Sequence, residues 1–146
     1  MKSAVLSFFI ALCVYAENET APFLQKKSIV IPNHFCGVIY TWSPGMPMSE
    51  KGLREIQDYA KDSGFLVRAV VDPQLKNMPQ EFQLRNKSSK QFPAYKVMAD
   101  AGYFNHFPGY FVQDATGTVK PLRLGYIFPE DLKFFLDATT IQGLCK

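Results

Sequence analysis

The residues able to do chemistry in this chain are few and unevenly spaced. The cysteines are Cys13, Cys36 and Cys145, the histidines are His34 and His106, and the single tryptophan opens the run Trp42-Ser43-Pro44-Gly45-Met46-Pro47-Met48-Ser49. That run follows an apolar segment, breaks at prolines and leads into a helix start, where backbone N–H groups can act on a bound or reacting group. No cysteine lies between Cys36 and Cys145, so the loop has no thiolate to offer. Ser43 brings a hydroxyl, but a hydroxyl needs an adjacent base to become a nucleophile. His106 is the candidate base, yet Ser43 sits in no nucleophile-elbow motif and no third, orienting group is evident. Met46, Met48 and His106 form a second candidate set, two thioethers and an imidazole that would suit Cu(I) better than zinc. Met48 also has a simpler reading: with Ser49 as helix cap, Met48 and Leu53 occupy the positions of a hydrophobic staple.

Of the 146 residues, 47% are hydrophobic and 14% aromatic, which suffices for one packed domain and is too little chain for two. Residues 1–16 read as a secretory signal peptide, with Lys2 in a short basic start, an apolar core over 4–14 and Val14-Tyr15-Ala16 as a small-residue cleavage site. A membrane anchor is the competing reading, but a spanning helix needs ~20 apolar residues. A lipoprotein reading would use Cys13, although Leu12 before it is larger than such processing favours. The expected location is therefore periplasmic or secreted. In such a compartment the remaining cysteines, Cys36 and Cys145, can form a disulfide; two unrelated buried thiols are the alternative.

The formal charge is +3, and the basic residues are scattered without the stripe of cations and aromatics that nucleic acid would call for. His34 follows Pro32-Asn33 and reads as a surface turn residue. Asn18-Glu19-Thr20 and Asn86-Lys87-Ser88 match the glycosylation pattern, which matters only in a eukaryotic source.

Around these residues the pattern predicts a lead-in over 17–35, with a short strand at 28–31, and then a domain over 36–146. Residues 36–42 are β-branched and aromatic without polar alternation, which suits a central strand covered on both faces. A helix over 49–62 follows, capped by Ser49 and stopped at Ser63-Gly64, and then a strand over 65–71. Strand, helix and strand in that order make a parallel βαβ unit. The stretch 73–105 is broken by Pro79 and Pro93 and holds short helices near 80–85 and 94–101. Strands at 109–113 and 119–126, joined by Asp114-Ala115-Thr116-Gly117, form an antiparallel hairpin. A helix over 129–138 with Pro129 at its first position closes the domain.

The order of these parts resembles the thioredoxin-like superfamily over about residues 36–138. The local matches are Trp42 and its loop, His106-Phe107-Pro108 before a strand, and Gly125 followed by Pro129-Glu130-Asp131-Leu132. The resemblance implies a three-layer α/β fold around a central mixed sheet, with Pro108 in the cis form facing residues 43–46. It also implies a redox dithiol after the tryptophan, and here the chain departs: Ser43-Pro44-Gly45-Met46 stands where Cys-x-x-Cys would be. Methionine forms no disulfide, so ordinary dithiol oxidoreductase activity is not expected. Cys36 cannot substitute, since strand residues advance ~3.3 Å each and it lies at the far end of its strand. What survives is the substrate-facing groove, in which Trp42, Ser43, Pro44, Met46, Phe107 and Pro108 would contact a protein or extended peptide. Backbone beside Pro108 would pair with that peptide by strand addition.

Overall fold

A computed structural model of the chain describes residues 28–31, 35–72 and 95–146. Segment 1–16, Cys13, His34, both glycosylation triplets and the helix expected near 80–85 lie outside the described residues. Five strands, β1 (Ile29–Val30), β2 (Gly37–Trp42), β3 (Val67–Val71), β4 (Gly109–Gln113) and β5 (Thr118–Leu124), form one sheet in the order β1-β5-β4-β2-β3. Helix α1 (Pro47–Ser63) connects β2 to β3, which pair in parallel. On the other side β2 pairs antiparallel with β4, and β4 and β5 make the hairpin. This is the mixed α/β arrangement that the sequence predicts.

Each of the six residues of β2 is buried, which explains why its sequence shows no polar alternation. Because side chains alternate across a strand, β2 supplies both layers of the core. Val38, Tyr40 and Trp42 pack with Leu53, Ile56 and Ala60 of α1, while Ile39 packs with Val70 and Phe111 and with Met98 of a short helix α2 (Tyr95–Asp100). Tyr103 and Phe104, just after α2, complete that second layer, and the Tyr103 ring stacks on Phe111 at 4.6 Å.

Two helix boundaries differ from expectation, each for a local reason. The residue capping α1 is Met46, with Pro47 at the first helical position, and Ser49 is already inside the helix. Proline suits that position because its ring presets φ and its missing N–H would have had no intrahelical partner. Gly64, at φ 75°, ends the helix as predicted, its N–H donating to Ala60 O at 2.9 Å. At the other end of the chain, the single helix expected over 129–138 is two helices, α3 (Pro129–Phe135) and α4 (Ala138–Leu144). The chain leaves helical geometry at the fully buried Leu136 and restarts at Asp137, whose carboxylate accepts from Thr140 N at 2.9 Å. That bond satisfies one of the open N–H groups of the new helix.

The disulfide between Cys36 and Cys145 is formed, with Cα atoms 5.6 Å apart and 109 residues between them in sequence. A bridge closing so long a loop contributes about 2–5 kcal/mol. It ties α4 to the start of β2, and α4 is otherwise held by Ile141, which is buried in the core, and by Ala138, which packs against it.

Candidate functional site

The candidate residues converge where β2 and β3 end and β4 begins. Trp42 pairs with Val71 and Thr41 with Gly109. Continuing those registers sets Ser43 beside Asp72 on one flank and beside Phe107-Pro108 on the other. The loop after β2 is a tight turn in which Met46 N donates to Ser43 O at 3.3 Å. Pro44 and Gly45 are its central residues, and Gly45 has φ 89°, the combination a type II turn requires.

Side chains of α1 hold this turn from outside it. Ser49 Oγ accepts from Ser43 N at 2.9 Å, and Glu50 Oε1 accepts from Gly45 N at 3.0 Å. This is why Ser49 does not cap the helix: its oxygen is spent on the loop. From beneath, the Tyr40 hydroxyl donates to Ser49 O at 2.7 Å. Gly52 leaves the space for it, since a Cβ at that position would lie 2.5 Å from the Tyr40 oxygen. Burial, helped by the neighbouring Tyr110, pushes the Tyr40 phenol far above its ordinary range. Burial does the same for Tyr110, whose ring meets that of Tyr40 edge to face at 5.0 Å. Tyr40 is thus a neutral, permanent donor that fixes the first turn of α1 against the sheet.

Ser43, the first residue after β2, is 5% exposed. Its hydroxyl donates to Asp72 Oδ2 at 3.2 Å, and Asp72 N donates in turn to Trp42 O at 2.7 Å. The hydroxyl's partner is therefore Asp72, not His106, and among the described residues no hydrogen bond joins Ser43 to His106. This pair ties the loop to the residue that follows β3.

Trp42 is placed differently from the expectation that it lines a groove. It is 2% exposed and belongs to the core between the sheet and α1, because as the last residue of β2 it points to the same face as Val38 and Tyr40. Pro108 is also buried, Pro44 and Phe107 are half-buried, and Met46, Met48 and His106 are exposed. Met48, 45% exposed and inside the first turn of α1, lies past the position a staple residue would hold, so the staple with Leu53 is not made. Among the described residues no group of three or more His, Cys, Asp and Glu side chains could hold a metal.

The Phe107–Pro108 bond is cis, as the resemblance implies. Pro108 O accepts from Gly125 N at 2.9 Å, which ties this turn to the loop after β5. Neither the N–H nor the C=O of Phe107 has a hydrogen-bond partner among the described residues. Next to Gly125, Tyr126 donates its hydroxyl to Glu55, and its ring meets Phe128 edge to face at 5.2 Å. Phe128 is 55% exposed. The sequence reading does not single out Asp72, Glu50, Tyr126 or Phe128. Asp72 had a signal, because it stands one residue past β3 as Ser43 stands one past the parallel β2.

No family model matches the chain, and no curated protein matches its sequence. Among solved structures it is similar to an exposed lipoprotein thioredoxin of Streptococcus pneumoniae, at 18% identity over 83% of this chain and 87% of that one, with a TM-score of 0.48. Among the described residues no helix is long and apolar enough to cross a membrane.

Proposed function

We propose that the protein is a non-catalytic binding module of thioredoxin-like form, secreted or periplasmic, that takes an extended segment of another protein along Phe107 and Pro108. The observation that carries this reading is the backbone of Phe107, without a hydrogen-bond partner among the described residues, at the end of the sheet that also holds Ser43. A polar backbone group left without a protein partner is the means by which a strand-like peptide is captured, and apolar neighbours then select its side chains. Met46 and Met48, 44% and 45% exposed, supply adaptable apolar surface at the same end. Trp42 supports this surface from below and does not form it.

The test is capture of partners from an extract of the native compartment, run beside an insulin disulfide-reduction assay. The double variant Met46→Glu/Met48→Glu is expected to keep the wild-type far-UV spectrum and lose about tenfold in capture, the size of effect that follows from ~1.4 kcal/mol. Clear reductase turnover, or capture unchanged in the folded double variant, refutes the reading. The exposure of Met46, Met48 and His106 favours a second reading, a Cu(I) site built from these three. Copper titration of wild type against Met46→Leu and His106→Ala decides it, and absence of a tight Cu(I) site in the wild type ends it.

A further inference from the structure

At the end of β2 away from the candidate groove, the bridge, α4 and a cavity form one assembly. α4 has seven residues and buries one of them, Ile141. Its remaining ties are few: Gln142 Nε2 donates to Ser63 O at 2.9 Å and to Gly64 O at 3.2 Å, and Leu144 O accepts from Ala115 N at 3.0 Å. The bridge follows directly at Cys145, which is exposed, whereas Cys36 is half-buried. Thr140, Ile141 and Leu144 form one wall of a cavity of about 380 Å³, opposite Val112, Leu122 and Phe135. Ile141 is one member of the core that β2 and α1 share, whose other members include Val38, Tyr40, Trp42, Leu53, Ile56 and Ala60.

We propose that Cys36–Cys145 is a thiol-exchange site that latches α4, so that a dithiol partner reaching Cys145 frees α4 and opens the cavity while the sheet and α1 stay folded. The chemistry balances as ordinary exchange. A thiolate of the partner attacks Cys145 Sγ, forming a mixed disulfide and breaking the bond to Cys36, which leaves as a thiolate and takes a proton from water. The partner's second thiol then attacks the mixed disulfide and releases Cys145. The bridge has gained two electrons and two protons, and the partner has become a disulfide. α4 then keeps the buried Ile141, the half-buried Ala138 and three hydrogen bonds against the chain entropy of its seven residues.

Dithiothreitol serves as the partner in the test, applied to the folded protein and followed by hydrogen exchange and by trapping of free thiols. After reduction, amides of residues 138–144 are expected to lose their protection, while those of β2 and β4 stay protected and exchange at least about tenfold more slowly than residues 138–144. Iodoacetamide is expected to label Cys145 before Cys36. The variant Cys145→Ser should reproduce the local loss without any reductant. A bridge that resists dithiothreitol until denaturant is added overturns the proposal. So does protection that survives reduction throughout, or that is lost throughout.

Discussion

The two ends of β2 treat sulfur in opposite ways. At the Trp42 end the turn of residues 43–46 contains no cysteine, and its Ser43 hydroxyl is bound to Asp72. At the Cys36 end the disulfide joins a strand to the last helix. A helix N-terminus such as the one after this turn favours a thiolate. Here the turn is fixed by hydrogen bonds that need no sulfur, and the sulfur holds down a weakly buried element. The contrast is between a turn fixed without sulfur and a helix fastened by it.

The largest effect that sharpens this contrast is expected from Trp42→Ala. It removes a fully packed side chain from the core beneath the turn and should cost about 3–5 kcal/mol, read as a lower midpoint in urea. A folded Trp42→Ala protein of unchanged stability would return Trp42 to the surface. Removing the other end's bond with Cys36→Ser/Cys145→Ser should cost about 2–5 kcal/mol by the same measurement, without changing partner capture at the groove. Loss of capture in that variant would show that the ends are not independent.

Gly52→Ala is expected to destabilise by about 1–3 kcal/mol, although alanine in a helix interior usually gains ~1 kcal/mol over glycine. The added methyl would press on the Tyr40 hydroxyl, and a more stable variant would break the account of how α1 is seated. The smallest signal is optical. Tyr40 and Tyr110 have raised pKa values in the fold, so the folded state prefers their neutral forms. Their contribution is fully present below the ordinary tyrosine pKa of 10.0 and is lost as pH rises above it. Absorbance near ~295 nm, where tyrosinate is read, should show these two phenols ionising only with unfolding; early titration of both would contradict their burial.

Much of the scaffold was legible because the signals were local and redundant. The apolar run at 36–42, the stop at Gly64 and the turn at Asp114–Gly117 each follow from residue type alone, and the cysteine pair was suggested by compartment and count. The errors came where two residues of the right type competed for one job. Ser49 and Pro47 both suit a helix start, and proline took it because Ser43 N claimed the Ser49 oxygen. α4 escaped notice because Ala138–Leu144 has a single inward residue, although Asp137 with Thr140 three positions on carried a cap signal. At the site, the sequence reading put Trp42 on the groove surface, and the fold places it in the core. Which face the last residue of β2 takes is set by strand parity and by α1, and neither is visible from the loop itself.

The clamping of the turn by Ser49, Glu50 and Tyr40 has a consequence for how this protein can change. All three anchors sit outside residues 44–48 and reach backbone atoms, so they place the loop without regard to the side chains at 46 and 48. Those two positions can drift or be randomised while the helix start beneath them stays in register. In the proposed binding role, substitution at Met46 and Met48 would alter what is bound without unseating the helix, and a library varied at these two positions would be a sound starting point for new binders.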